Sequence, residues 1–149
     1  MNNEFANKTV VVTGATSGIG RATSLRFAVA GANVVAVGRQ PAALEEVKSE
    51  IEQGGAACLT VQADMSQDAA ASDVVSFTID RFGGIDVLVN AAGHISTGTI
   101  ESTTVESWDA MLDINLRAPF FLSQAAAPHL AATCGAILNI SDVYARQPR

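Results

Sequence analysis

The stretch of sequence from residue 9 to residue 20, TVVVTGATSGIG, decides the fold. Its first five residues, Thr9–Thr13, are β-branched and mostly apolar, which is typical of a short strand covered on both faces. Three closely spaced glycines follow at once, and a helical pattern runs from Gly18 to Ala30. A strand, a glycine-rich turn and a helix in this order predict the first unit of a layered α/β fold.

Four further apolar runs of the same kind follow along the chain. They are Asn33–Val37, Ala57–Gln62, Asp86–Asn90 and Ala136–Ile140. Helical patterns separate all of these runs, so strands and helices alternate from one end of the sequence to the other. This alternation predicts a doubly wound parallel sheet of about five strands, a Rossmann fold, forming one domain over residues 1–149.

The predicted helices carry recognisable signals at their ends and in the helical spacing of their apolar residues. Gly31 is expected to end the first helix, and Pro41 suits the first turn of the second. Thr103 and Glu106 have the spacing of a capping box before a fourth helix. The expected apolar faces comprise Leu44, Val47 and Ile51, then Ala71, Val74, Val75 and Phe82, and finally Trp108, Met111 and Leu112.

Composition and charge exclude several classes of protein. Hydrophobic residues make up 48% of the chain and charged residues 16%, which excludes a disordered protein. The net charge is −6 and the few Lys and Arg residues are scattered, so we expect no nucleic-acid partner. No apolar run approaches the roughly 18 residues of a membrane helix, and residues 1–8 have no apolar signal core.

The two cysteines, Cys58 and Cys134, are far apart and form no metal-binding motif. Two reduced and buried thiols in a cytoplasmic protein are therefore expected, without a metal site.

The glycine loop predicts a phosphate-binding site. Gly14, Gly18 and Gly20 would let the backbone turn tightly and approach a pyrophosphate, which the N–H groups at the helix start would bind. Thr16 and Ser17 add hydroxyl donors, and Ile19 lies between the last two glycines. The alternative is a tight turn that binds nothing, but its position between a strand and a helix favours dinucleotide binding.

The end of the second strand predicts which dinucleotide is bound. Sites for NAD usually have an acidic residue there, which holds the ribose 2′-hydroxyl. This chain has Gly38-Arg39-Gln40 instead, and no acidic residue occurs between Arg21 and Leu44. A cation at Arg39 favours the 2′-phosphate of NADP(H) over a solvated loop arginine, the alternative interpretation.

Residues 8–142 resemble the short-chain dehydrogenases/reductases at several separate motifs in the family's order. The motifs are TGATSGIG at 13–20, Ala63-Asp64-Met65, Asn90-Ala91-Ala92-Gly93, Asp113-Ile114-Asn115-Leu116 and GAILNIS at 135–141. The resemblance implies an oxidoreductase that transfers hydride between NADP(H) and a small-molecule carbonyl, alcohol or pterin-like imine. It also implies association with a second subunit through the helix that contains Phe120, so a homo-oligomer is expected of the full-length protein.

The resemblance assigns roles to individual residues. Asp64 would accept a hydrogen bond from the adenine amino group, and Met65 would line the adenine pocket. Asn90, Ala91 and Gly93 belong to the segment that would shape the sheet end beside the nicotinamide ribose. A simpler alternative exists in each case, because Asp and Asn at strand ends often only form turns.

Asn115 would take part in catalysis through its main-chain carbonyl, which in the family holds a water molecule connected to the catalytic lysine. Pro119, four residues later, has no N–H group and removes the usual helical partner of that carbonyl. We therefore expect Pro119 to leave the Asn115 carbonyl available for this role.

The sequence departs from the family pattern after the fifth predicted strand. Asp142 occupies the position of the family's catalytic serine, and Ser141 falls one residue early, on the other face of the strand. An Asp here resembles the pteridine-reductase branch, whose carboxylate would suit a substrate with paired N–H donors. A degenerate site in which Asp142 has no function is the equally weighted alternative.

The family's catalytic Tyr and Lys would fall beyond Arg149. Tyr144 is not that tyrosine, because Pro148 stands where the lysine would be. The chain is therefore expected to be a fragment or a truncated product, with its fifth strand left as an uncovered edge.

Two rivals to an active reductase remain open. The first is an inactive remnant that at most binds dinucleotide, and the second is a sugar-nucleotide epimerase, which the NAAG and LNIS motifs disfavour. His94 and His129 are expected to be a loop and a surface histidine, and Phe120–Leu122 is expected to lie in the core.

Overall fold

A computed structural model describes residues 3–142. Its centre is a five-stranded, entirely parallel sheet in the order β3-β2-β1-β4-β5. The strands are β1 Thr9–Thr13, β2 Asn33–Gly38, β3 Cys58–Gln62, β4 Val87–Asn90 and β5 Ala136–Asn139. The predicted doubly wound Rossmann fold is confirmed, and each predicted strand agrees with its observed bounds to within one residue.

Helices connect successive strands and cover the sheet. They are α1 Gly18–Val29, α2 Pro41–Gln53, α3 Ala70–Phe82, α4 Val105–Leu112 and α5 Ala118–Thr133, with a π-helical turn at Asp113–Arg117 between the last two. None of the helices within residues 3–142 has the length and apolarity required to span a bilayer.

Alternate residues of the central strands form two separate cores. Val11 and Val35 pack on one face with apolar residues of α3 and α5. Val10 and Val34 pack on the other face with apolar residues of α1 and α2. This two-sided burial explains why the central strands are apolar at consecutive positions rather than at every second one.

Most of the predicted helix signals are confirmed. Gly31, just beyond α1, has a φ of +92°, which a glycine adopts without strain. Pro41 is the first residue of α2, and all three residues of its predicted apolar face are buried. In α3, Ala71, Val74 and Val75 are buried, and Phe82 packs partly buried against the same core.

The capping box predicted at Thr103 and Glu106 is wrong by one residue. The N-cap of α4 is Thr104, whose hydroxyl accepts a hydrogen bond from the Ser107 N–H at 3.2 Å. The Thr103 hydroxyl instead donates to the carbonyl of Thr99 at 2.7 Å. The preceding turn thus engages Thr103, and the adjacent threonine caps the helix.

Three predicted core residues are at the surface. Phe120 and Phe121 are 60% and 45% exposed, whereas Leu122 of the same cluster is buried. Cys58 is buried as expected, but Cys134 is exposed. It lies at the C-terminal end of α5 in a left-handed conformation with a φ of 52°, where the chain turns toward β5 at the surface.

The last strand differs from the other four. All four residues of β5 are exposed, which confirms the prediction of an uncovered edge and limits two-sided burial to the other strands.

The strand order divides the sheet into two halves, because the chain runs outward from β1 through β2 to β3 and then from β4 to β5. The point of reversal, between β1 and β4, is where doubly wound sheets bind ligands at their C-terminal edge.

Candidate functional site

The glycine loop connects β1 to α1 at this edge. Gly14 and Gly18 have φ angles of +66° and +49°, in the left-handed region that favours glycine. Ser17 is the N-cap of α1, but its side chain makes no capping hydrogen bond. The hydroxyl therefore leaves the first N–H groups of the helix to another acceptor, and this helix end has the polarity that attracts an anion.

Close backbone contacts require two of the glycines. A Cβ atom on Gly20 would lie 2.2 Å from the carbonyl oxygen of Gly14. A Cβ atom on Gly14 would lie 2.9 Å from the carbonyl oxygen of Ala91, in the loop after β4. Side chains at these positions would push the loop out of place, so the glycines keep the loop tightly turned against the start of α1 and against the loop after β4.

A buried threonine hydroxyl connects the glycine loop to the loop after β4. Thr13, the last residue of β1, is 2% exposed. Its Oγ1 accepts hydrogen bonds from the N–H groups of Ala91 and Ala92, at 3.1 Å each. The predicted dinucleotide-binding segments at 14–20 and 90–93 are therefore held together by one side chain, which sequence reasoning did not identify.

Asn90 takes part in a polar network between strands rather than pointing into open space. Its side-chain amide donates to Asn139 Oδ1 at 2.8 Å and to Ser123 Oγ at 3.3 Å. Its carbonyl accepts from the Ile140 N–H at 3.0 Å. Asn90 thus ties the ends of β4 and β5 to α5, which fits its predicted part in shaping the sheet end.

Arg39 follows β2 next to the glycine loop. A Cβ atom on Gly38 would lie 2.8 Å from the Thr16 side-chain methyl, so the loop packs directly against the end of this strand. Arg39 itself is exposed, and its carbonyl accepts a hydrogen bond from Gln62 at 3.4 Å. The backbone at Arg39 and the glycine loop therefore lie next to each other at the C-terminal edge of the sheet.

Asp64 is in the turn that leaves β3. Its Oδ1 accepts from the N–H of Ser66 at 3.0 Å and from the Ser66 hydroxyl at 2.8 Å. These hydrogen bonds, assisted by the charge of Arg39, lower the pKa of the Asp64 carboxyl below its usual value. Asp64 therefore does form a turn, and it does so as an exposed anion on the Arg39 side of the sheet edge.

Met65 is buried in the core beneath α3 and α5, and it also lines a cavity of about 190 Å³. This core position was not predicted from the sequence. The contact of Met65 with adenine remains a prediction.

Asn115 lies inside the π-helical turn. Its side-chain N–H donates to the carbonyl of His94 at 2.7 Å, and its Oδ1 accepts from the His94 N–H at 3.0 Å. This reciprocal pair holds the end of the loop that follows β4. Pro119 was the sequence signal for an irregular helix here, and π-helical turns often occur at functional sites; the role of the Asn115 carbonyl remains a prediction.

Asp142 lies exposed beyond the end of β5, near the limit of the described residues. Tyr144 and Pro148 fall outside them.

The other predicted site segments lie together at one edge of the sheet, where they follow or flank strand ends. They are the glycine loop, Arg39, Asp64, the 90–94 loop and Asn115. Among residues 3–142 no cluster of three or more His, Cys, Asp or Glu side chains could hold a metal ion.

Comparisons with known proteins agree with this geometry. The family model described as short chain dehydrogenase matches residues 8–149. A probable 2,4-dienoyl-CoA reductase of Bacillus subtilis is 39% identical over 142 residues, covering 93% of this chain and 55% of that protein. An uncharacterized oxidoreductase of Staphylococcus epidermidis is 35% identical over 142 residues, covering 95% and 60%.

Among solved structures, the L-sorbose reductase of Gluconobacter frateurii, complexed with NADPH and L-sorbose, superposes with a TM-score of 0.94 at 34% identity. The superposition covers 100% of this chain and 57% of that one. The chain therefore spans about 60% of the length of the first curated relatives it matches. With the motif order, the sheet and the family match in agreement, this chain belongs to the short-chain dehydrogenase family of oxidoreductases.

Proposed function

We propose that this chain binds NADP(H) and forms the cofactor-binding part of an oxidoreductase acting on a carbonyl, alcohol or imine-like substrate. The observation that carries the proposal is the glycine loop. A Cβ atom on Gly20 would meet the Gly14 carbonyl and one on Gly14 would meet the backbone of residues 91–92, so only glycines allow the backbone to turn this tightly at the start of α1. A pyrophosphate is an anion of the size and charge that such a loop and helix end accommodate.

The surrounding residues would contact successive parts of the dinucleotide. Thr16, Ser17, Gly18 and Ile19 would line the pyrophosphate, and Ala91 and Gly93 would flank the nicotinamide ribose beside Asn90. Asp64 and Met65 would form the adenine end, on the same side of the sheet as Arg39. The order of these groups along one edge supports an extended ligand rather than a mononucleotide.

Arg39 supports NADP(H) over NAD(H). Arg39 is an exposed cation that follows Gly38, whose backbone packs against Thr16 of the glycine loop, and a 2′-phosphate there could accept charge-assisted hydrogen bonds from it. The NADPH complex of the G. frateurii reductase provides independent support for this cofactor in a close structural neighbour.

When bound, the nicotinamide would supply or accept the hydride. Asn115 would belong to the catalytic group through its carbonyl, and Asp142 would receive the substrate beside it. A carboxylate at this strand end favours a substrate with paired N–H donors, as in the pteridine-reductase branch. The proton-transferring Tyr and Lys pair would lie beyond residue 149 in a longer protein, so catalysis is proposed for the whole protein and binding for this chain.

Titration of the 149-residue chain with NADPH and NADH tests the cofactor proposal. We expect tighter binding of NADPH. We also expect Arg39→Leu to weaken NADPH roughly 10- to 100-fold, the value of a hydrogen bond to a charged group, while NADH is unaffected. Gly20→Ala should abolish binding of both. Equal loss of both cofactors in Arg39→Leu would refute the 2′-phosphate contact, and a wild-type chain that binds neither would favour the inactive remnant.

A row of exposed apolar side chains supports self-association. Trp108, Leu112, Leu116 and Phe120 recur every fourth residue from α4 into α5, and all four are exposed. Soluble monomers rarely expose a contiguous surface of this kind. We expect Leu116→Glu to lower the sedimentation coefficient of the chain. Ile100→Glu, at a more exposed apolar residue outside the row, is the control and should leave it unchanged; a monomeric wild-type chain would contradict the proposal.

The two cysteines support a cytoplasmic location. Both Cys58 and Cys134 are free thiols, which supports a reducing compartment such as the cytoplasm.

A further inference from the structure

Arg117, the last residue of the π-helical turn, joins two segments of the chain that are far apart in sequence. Its guanidinium forms a close ion pair with Asp68, in the turn between β3 and α3. A second, longer contact reaches Asp113 at 3.9 Å, one helical turn earlier. The guanidinium carbon also lies 5.7 Å from the centre of the Phe121 ring. Three neighbours thus fix the direction in which Arg117 points.

The turn that contains Asp68 also contains the proposed adenine contact. Asp64 is held by Ser66, and the Gln67 N–H donates to the Asp64 carbonyl at 3.0 Å. The Ala70 N–H in turn donates to the Gln67 carbonyl at 3.1 Å. Asp68 therefore lies within the same hydrogen-bonded turn, residues 64–70, that positions Asp64.

The wall on the other side is the π-helical turn, which contains Asn115 and, through it, holds His94. Between the two walls is the cavity of about 190 Å³, lined by Met65, Ala71, Ala118 and Phe121, with Asp68 and Arg117 among its lining residues. Met65, Ala71 and Ala118 beneath it belong to the core that packs α3 against α5, so the ion pair adds to this packing at the surface. The ion pair is the polar contact that spans the cavity.

We propose that Arg117 is a positioning residue for the dinucleotide. Its ion pair with Asp68 fixes the adenine-end turn at 64–70 against the π-helical turn, so that both ends of the cofactor site keep their spacing. The inference rests on the proposed NADP(H) binding and deepens it by adding a residue outside the site. The pair is exposed, so its loss should weaken binding only roughly two- to fivefold.

The test measures dissociation constants for NADPH and for 2′,5′-ADP with the 149-residue chain at low salt. Arg117→Met and Asp68→Asn should each weaken NADPH more than 2′,5′-ADP, because only NADPH spans both ends of the site whose spacing the ion pair fixes. The double variant should be no worse than either single variant, and Arg117→Lys should restore most of the affinity. High salt should reduce the difference between wild type and variants, because it screens the pair.

Lys8→Met is the control. It removes the ion pair with Asp86 at the opposite end of the strands; Lys8 and Arg117 are similarly exposed, at 49% and 45%, whereas Asp86 is 14% exposed and Asp68 84%. We expect no change in either dissociation constant. Unchanged affinity in Arg117→Met, or an equal loss in Lys8→Met, would overturn the inference while leaving NADP(H) binding intact. A wild-type chain that binds neither ligand would instead overturn the proposed function, and this inference with it.

Discussion

Two neighbouring strands, β4 and β5, each have three apolar residues followed by an asparagine, but they lie in opposite environments. Val87–Asn90 reads VLVN and Ala136–Asn139 reads AILN, and the two pair in parallel with each residue opposite its counterpart. Every residue of β4 is buried, whereas every residue of β5 is exposed. An apolar four-residue run therefore predicts a strand but not its burial.

The edge position of β5 does not explain this difference. The other edge strand, β3, has Cys58 buried in one core and Val61 in the other, because helices cover both of its faces. In β5, by contrast, Ile137 and Leu138 point to opposite faces and both are exposed. Coverage by helices, rather than the number of paired neighbours, determines which strand is buried.

The largest expected effect is a difference in stability between two identical substitutions. Leu88→Ala in β4 removes a side chain that is 0% exposed and should lower the free energy of unfolding by about 2–5 kcal/mol. Leu138→Ala in β5 removes one that is 43% exposed and should cost less than about 1 kcal/mol. Urea denaturation measures both, and equal losses would show that β5 is covered in solution.

A smaller effect is expected where the two strands meet in a polar contact. Asn139→Ala removes the acceptor at 2.8 Å from the buried Asn90 amide and should cost about 1 kcal/mol. Ser123→Ala removes the weaker contact at 3.3 Å and should cost less. Both values follow from urea denaturation. If Asn139→Ala had no effect, β5 would contribute nothing to β4 at this end of the sheet.

The smallest effect, up to about pH 9, is the pH dependence of stability that Cys58 contributes in β3, the covered edge strand. Burial, assisted by the charge of Glu52, raises the pKa of Cys58 in β3 from its usual 9.0 to about 11. The unfolded chain then loses this proton first, so stability should fall as pH rises from about 9 toward 11. The measurement is the urea midpoint at pH 8, 9 and 10 for wild type and for Cys58→Ala, which should lack this component.

Cys134, exposed just before β5, supplies the control for this pH dependence, since Cys134→Ser should keep the wild-type dependence. At pH 8 a thiol reagent should modify Cys134 readily and Cys58 only when the chain opens. Rapid modification of both thiols would contradict the burial of β3.

The sequence predicted those parts of the fold that depend on local chemistry. β-branched runs predicted the five strands, and Gly31 and Pro41 predicted two helix ends, because each signal acts through its own backbone. Phe120, Phe121 and Cys134 were wrongly expected to be buried. Their exposure depends on which elements pack over α5 and β5, and no residue within those segments encodes that.

The candidate site shows the same division. The glycines of the phosphate loop were predictable because their spacing reflects backbone geometry. The contacts of Asn115 with His94 and of Arg117 with Asp68 were not, because they join residues 21 and 49 positions apart. Pro119 was the only local sign, within the described residues, that the helix around Asn115 would be irregular.

The Thr13 hydroxyl has a consequence for anyone who exchanges parts between relatives of this protein. Both of its acceptor positions are occupied by N–H groups of the loop after β4, at 3.1 Å each. A graft that carries the first loop but replaces this threonine by valine would keep the shape of the strand. It would remove both hydrogen bonds that the threonine accepts from the second loop. Because the donors are main-chain N–H groups, a chimera can take the second loop from a relative without proline at these two positions, provided that it keeps the threonine.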